Sequence, residues 1–214
     1  MVGKGVLLEC LESPLVESVL VVNRESIDIK HDKLKEIIHS DFFDLSAVES
    51  ELTGYNACFF CLGVSSAGLS EQDYHRLTYE LTLNFAKTVS GLNKDMTFCY
   101  VSGAGTYSTE KGRSMWARVK GKTENALLKL PFKAAFMFRP AYIQPMKGVK
   151  SKTRLYQIVY DVFGFLYPVW KALFPKSVTT TELLGQAMIK AVSQGNDDQI
   201  LETRQINQLA MLNS

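Results

Sequence analysis

The sequence predicts an α/β protein built on a doubly wound, mostly parallel sheet, and three observations carry that prediction. Its strands read as continuous apolar runs, "NACFFCLG", "DMTFCYVSGAG" and "FKAAFMFRPAYIQP", as strands buried on both faces do. Those runs alternate with amphipathic helical segments, the pattern of βαβ units. The polar and glycine-rich pieces fall at the carboxyl ends of the runs: "NR", "SDFFD", "CLGVSS", "VSGAG" and "FRPAY". Open α/β sheets bind their ligands at that edge.

Each element has a local reason. In the opening "MVGKGVLLECLESP", Val6, Leu7, Leu8 and Leu11 keep a helical rhythm that Ser13-Pro14 stops. "ESVLVVNR" is a short strand ending at Asn23-Arg24, and "EIIHSDFFDL" is a second apolar run ending in a turn with Asp41 and Asp44. "SAVESEL" predicts a short helix capped by Ser46. After the strand "NACFFCLG", the stretch from Ser70 to Leu92 predicts one long helix, with Ser70 as N-cap and Asp73 completing a capping-box pattern. The strand "DMTFCYVSGAG" leads into the amphipathic helix "RSMWARVKGKTENALLKL", and "FKAAFMFRPAYIQP" is a strand running into a proline-bounded loop. "SVTTTELLGQAMIKAV" is a capped helix, and the tail predicts a short strand and a terminal helix. Right-handed crossovers make this a Rossmann-type sheet. The expected division is a dinucleotide-binding domain over 1–145, with a smaller substrate-side lobe and C-terminal elements over 146–214.

Composition narrows the function. The 214 residues suffice for one sizeable core, and 46% hydrophobic with 21% charged residues is ordinary for a soluble domain. A net charge of +2, with no basic stripe, gives no electrostatic case for nucleic acid. Lys147, Lys150, Lys152 and Arg154 form the only basic cluster and read as a solvated loop. Lys4 and Glu9 interrupt any signal-peptide core. Cys10, Cys58, Cys61 and Cys99 lie in apolar surroundings. "CFFC" sits within a strand, where positions three apart face opposite sides. Core thiols of a reduced, cytoplasmic protein are expected, not a dithiol enzyme or a metal site.

Asn23-Arg24 follows the strand where a dinucleotide site places an acid for the ribose 2′-hydroxyl or an arginine for a 2′-phosphate. "VVNR" offers no acid, so NADP(H) is favoured over NAD(H), the alternative being a solvated loop arginine.

The pieces "VGKGVLLECL", "NR", "DFFDL", "FFCLG", "VSGAG", "RVKGKTE" and "FRPAYIQP", in this order from Gly3 to about residue 195, carry a resemblance. The chain resembles the atypical short-chain dehydrogenase/reductases, in the NAD(P)H-binding, epimerase-like group near the Tat-interacting oxidoreductase branch. The resemblance implies that Gly3 is the last glycine of a phosphate-binding turn, its missing side chain allowing close helix packing. Asp41 and Phe42 would border adenine, and the backbone of Cys61, Leu62 and Gly63 would lie along the cofactor. Ser102 would belong to the region supplying the active-site hydroxyl, with Pro140-Ala141 beside the nicotinamide. Asp41 and Ser102 also read as ordinary turn residues.

The family carries a Tyr and a Lys four apart on one helix, the Tyr as proton donor and the Lys binding ribose and lowering the Tyr pKa. Here "WARVK" keeps Lys120 but sets Trp116 in the tyrosine position. An indole N–H can donate a hydrogen bond but not a proton. Tyr107 could enter from the neighbouring loop, substrate or water could supply the proton, or the protein reduces nothing.

Three readings therefore stand. One is an NADP(H)-dependent oxidoreductase or epimerase-like enzyme acting on an apolar carbonyl substrate. A second is an NADP(H)-binding sensor or scaffold without turnover. A third is a membrane-associated structural protein, raised by Leu155 to Phe174. That apolar run carries Gln157, Asp161, Gly164, Pro168 and Lys171 as one narrow stripe. A lobe or lid helix, peripheral membrane contact and a membrane span are its alternatives. The helices over Ser70–Leu92 and Ser114–Leu130 are candidates for a homodimer face, by analogy with related folds. In the sheet order 3-2-1-4-5 the central strand would lie between "SVLVV" and "ACFFC" and is absent from this sequence. The expectation is that Met1 is an internal methionine and that about ten upstream residues encode that strand and its glycine turn.

Overall fold

A computed structural model describes residues 1–149 and 177–212. Leu155–Phe174, with its lid and membrane alternatives, lies outside the described residues, as do Lys150, Lys152 and Arg154. None of the described helices is long and apolar enough to cross a membrane.

All strand pairs are parallel. β3 (Ala57–Phe60), β4 (Thr97–Val101), β5 (Ala134–Arg139) and β8 (Ile200–Glu202) form a sheet in the order β3-β4-β5-β8. β1 (Val19–Asn23) and β2 (Leu34–Ile38) form a separate pair, as do β6 (Tyr142–Gln144) and β7 (Val178–Thr180). No described strand lies between β1 and β3.

Alternation along β4 and β5 sorts the core into two layers. Phe98, Tyr100, Ala135 and Met137 pack with Phe85, Val89 and Leu127 of α3 (Leu81–Leu92) and α4 (Met115–Leu127). Cys99, Phe136 and Phe138 point the other way, to α1 (Val2–Glu12), α5 (Thr181–Gln194) and α6 (Thr203–Met211). The two-faced burial that the apolar runs imply is thus present. Cys58 packs with the first layer and Cys61 with the second, as strand geometry requires. Burial raises the pKa of all four thiols, Cys10 and Cys61 to about 12, so none is poised as a thiolate. Among the described residues no His, Cys, Asp or Glu group could hold a metal ion.

Three local expectations need correction. "SAVESEL" is a single 3₁₀ turn, Glu49–Leu52, with no side-chain cap. Asp44, not Ser46, organises the approach, its Oδ1 accepting from the Ser46 amide at 3.0 Å. The long helix is interrupted: α2 (Glu71–His75) passes through a π turn, Arg76–Glu80, before α3. At that turn His75 stacks on Tyr79 with ring centroids 4.7 Å apart. Ser70 caps as expected, its Oγ accepting from Asp73 N at 3.1 Å. Lys147 is not simply solvated; its ammonium bonds Glu9 at 2.6 Å and Glu12 at 2.5 Å, tying its loop to α1. From the region assigned to a smaller lobe, β8 joins the main sheet and α5 packs on α1.

Candidate functional site

A cleft of about 2230 Å³ opens along the carboxyl ends of β1, β3 and β4, and around the start of α1. Gly3, Asn23, Arg24, Phe42, Cys61, Leu62, Gly63, Ser102, Lys120, Pro140 and Ala141 all line it, together with Trp116. Asp41 and Tyr107 do not.

The two outliers have structural jobs. Asp41 is exposed and its Oδ1 accepts from Phe43 N at 2.8 Å, a local turn bond. The Tyr107 ring covers Gly112, where an added Cβ would lie 2.3 Å from its Cε2. Its amide donates to Ala117 O at 3.1 Å, and its carbonyl presses so closely on Gly121 that a Cβ there would stand 1.8 Å away. Tyr107 is therefore held on the flank of α4, not free to swing into the cleft.

At the β1 end, Arg24 is exposed and has no ion-pair partner among the described residues. Its loop is shaped from β2. Glu36 accepts from the Ile27 amide at 3.0 Å, the Ser26 hydroxyl at 2.9 Å and the Asn23 amide group at 3.5 Å. These bonds hold the Glu36 carboxylate on this loop. The start of α1 closes this side. Met1 provides no side-chain cap bond, and the first turn of α1 lines this side of the cleft. Gly3 sits against the end of β3, where an added Cβ would be 3.3 Å from Cys61 Cβ. Gly5 adds a second close approach, its Cβ position lying 2.4 Å from Thr181 Cβ on α5.

At the β4 end, the Lys120 ammonium donates to the Ser102 carbonyl oxygen. Burial lowers the Lys120 pKa to about 8, opposed by the Glu124 carboxylate one turn away. Ser102 is buried, and its hydroxyl donates to Glu124 Oε1, with Phe138 O at 3.2 Å as a second acceptor. That proton is committed, so the hydroxyl acts on Glu124 rather than facing a substrate unaided. Glu124 is fully buried and paired with Arg139, whose Nε donates to Oε1 at 3.0 Å while Nη2 bonds the other oxygen. Arg139 also reaches Ser108 Oγ at 2.7 Å and Glu202 at 3.3 Å. Neither Glu124 nor Arg139 stands out in the sequence, because both read as ordinary charges beside an amphipathic pattern. The signal was the spacing: Trp116, Lys120 and Glu124 are successive fours on one helical face.

The described chain fits a dinucleotide. The site combines an uncapped helix start, a glycine against a strand end, an unpaired arginine at the tip of β1 and a buried amine. No family model matches the chain. It is 24% identical over 198 residues to "Protein fmp52, mitochondrial" of Emericella nidulans, covering 89% of this chain and 82% of that protein. To "Protein FMP52-2, mitochondrial" of Scheffersomyces stipitis it is 27% identical over 135 residues, 62% of this chain, and the match spans only 57% of that relative. Among solved structures it is similar to the Bordetella bronchiseptica enzyme WbmF in complex with NAD+ (TM-score 0.65, 16% identity, 98% of this chain and 73% of that one). It is also similar to DesIV, a dTDP-glucose 4,6-dehydratase of Streptomyces venezuelae with NAD bound (TM-score 0.66, 13% identity, 98% and 77%). A third is the Helicobacter pylori ADP-L-glycero-D-manno-heptose-6-epimerase (TM-score 0.64, 14% identity, 98% and 78%). The chain therefore has the Rossmann-type α/β fold that these structures share.

Proposed function

We propose that this protein binds NADP(H) in the cleft and acts as an oxidoreductase or epimerase-like enzyme on an apolar carbonyl substrate. The observation that carries the proposal is the convergence of Arg24, the start of α1, Gly63, Lys120 and Pro140 on one cleft. The α1 amides would meet the pyrophosphate, Arg24 the 2′-phosphate, and Lys120 the nicotinamide-side ribose. Bound there, the nicotinamide would supply hydride chemistry. Glu124, anchored by Arg139, fixes Ser102, and the Ser102 carbonyl in turn positions Lys120. NAD(H) is the less favoured cofactor because an arginine, Arg24, and not an acid stands directly after β1.

Trp116 supports a second reading, an NADP(H)-binding sensor or scaffold without turnover. It lines the cleft at the family's tyrosine position, its ring 3.6 Å from where a Gly105 Cβ would stand. With Tyr107 pinned elsewhere, Lys120 is the one described group in the cleft shown to have a depressed amine pKa. A screen of long-chain aldehydes and ketones, followed by loss of NADPH absorbance, separates the readings. Turnover that disappears in Lys120→Ala supports the enzyme; NADPH binding with no turnover of any carbonyl supports the sensor. For location the cytoplasm stands as our proposal; since the two relatives described above are named as mitochondrial, cell fractionation is the direct check.

A further inference from the structure

The surroundings of Lys120 suit a reaction that holding a ribose does not use. α4 presents Trp116 and Lys120, one turn apart, to the loop after β4, and that loop makes room for both with glycines. An added Cβ at Gly105 would stand 3.6 Å from the Trp116 ring, and one at Gly103 would stand 3.9 Å from Lys120 Nζ. Both glycines hold positive φ, 149° at Gly103 and 84° at Gly105, where other residues are strained. No side chain of this turn therefore covers the amine or the indole.

Among the described residues the nitrogen donates to a neutral group, the Ser102 carbonyl oxygen. The carboxylate one turn on, Glu124, is engaged by Arg139 and by the Ser102 hydroxyl. Burial thus disfavours the ammonium without a paired anion to restore it, and near the lowered pKa of about 8 about half of the amine is neutral. With one N–H held by the Ser102 oxygen, the lone pair of that neutral amine points away from it. Other nucleophiles of the cleft are less available. Burial raises the thiols of Cys10, Cys58 and Cys61, and the Ser102 proton is committed to Glu124. Trp116 contributes an apolar ring and no acid. Ala104, Ala141 and Ile143 line the same cleft.

We propose that Lys120 is a nucleophile that forms an imine with an apolar aldehyde bound against Trp116. The Nζ lone pair attacks the carbonyl carbon, and the C=O π pair moves to oxygen as the C–N bond forms. A proton passes from nitrogen to that oxygen through water, giving a carbinolamine. The carbinolamine then loses its remaining N–H proton and its hydroxyl as water, and the C=N bond forms. No electrons enter or leave, and the neutral product suits a buried site better than an ammonium does. Desolvated lysines serve this chemistry elsewhere. The imine goes beyond the ribose role proposed for the same nitrogen and does not depend on a dinucleotide.

The test uses the full chain without nucleotide, incubated near pH 8 with octanal and sodium cyanoborohydride, which reduces an imine to a stable secondary amine. Peptide mass spectrometry follows the octyl group at each lysine over time. Two internal controls are Lys4, exposed on the same cleft, and Lys111, exposed outside it. The expected result is modification of Lys120 about tenfold or more faster than of either control, with the preference lost when the chain is unfolded in urea. A Lys120 that stays unmodified, or reacts no faster than Lys4, overturns the proposal, as does a preference that survives unfolding. Glyoxylate, a charged aldehyde, should show no preference for Lys120; an equal preference would overturn the apolar site against Trp116.

Discussion

The two halves of the sheet are built differently. Around β4 and β5, both strands are paired on each side and the site is locked by buried polar bonds: Ser102, Glu124 and Arg139 are each under a tenth exposed, with Ser102 and Arg139 both bonded to Glu124. Around β1, one strand edge faces a cleft, Arg24 is exposed, and the loop that carries it hangs on Glu36. The locked half fixes where Lys120 stands. On the proposed reading it would hold the nicotinamide end of the dinucleotide, and the β1 half the 2′-phosphate end.

The comparison predicts unequal sensitivity to mutation. The largest effect belongs to Glu124→Ala, which strands the buried Arg139 guanidinium; loss of one partner of a buried pair costs about 3–5 kcal/mol. Chemical denaturation measures it, and Glu124→Gln, which keeps an acceptor, should lose less. Next comes Gly5→Ala. Alanine is the better helix former by about 1 kcal/mol, but its Cβ would stand 2.4 Å from Thr181 Cβ. Thr181 cannot easily yield, being buried with Oγ1 accepting from Met146 N at 3.0 Å. A net loss of roughly 1–2 kcal/mol follows from overpacking, readable as a lowered melting temperature.

A third effect appears only in the pH dependence. Lys120 holds a pKa of about 8 in the folded protein against 10.5 for an unperturbed lysine. Between those values the unfolded chain binds more protons, so this residue makes stability rise with pH from about 8 to above 10. Lys120→Met should remove that rise. In the same range the wild-type amine loses its charge, so NADPH affinity should fall as pH increases through about 8, and the variant should show no such fall.

The sequence exposes the fold better than the site, for physical reasons. Buried parallel strands must be apolar throughout, so β3, β4 and β5 are visible as runs, and their ends as breaks in those runs. Ser70 is visible because capping chemistry is local. The β6–β7 pair joins residues far apart in the chain, and no local pattern reports it. The π turn at Arg76–Glu80 leaves the apolar rhythm of its helix intact and so leaves no mark. Glu124 and Arg139 escape because burial of a charge depends on its partner, and the partner sits on another element. Tyr107 misleads for the converse reason: residue type suggested a proton donor, while Gly112 and Gly121 give its ring and carbonyl somewhere else to pack.

The most direct test of the account is a side-by-side fluorescence titration of the wild-type protein and Arg24→Ala with NADPH and NADH. Saturable NADPH binding by the wild type, weakened about tenfold by Arg24→Ala (about 1.4 kcal/mol) with NADH binding unchanged, is the predicted result. Failure of either dinucleotide to bind at saturating concentration would contradict the cleft as a nucleotide site, and equal weakening for both would contradict the 2′-phosphate role of Arg24.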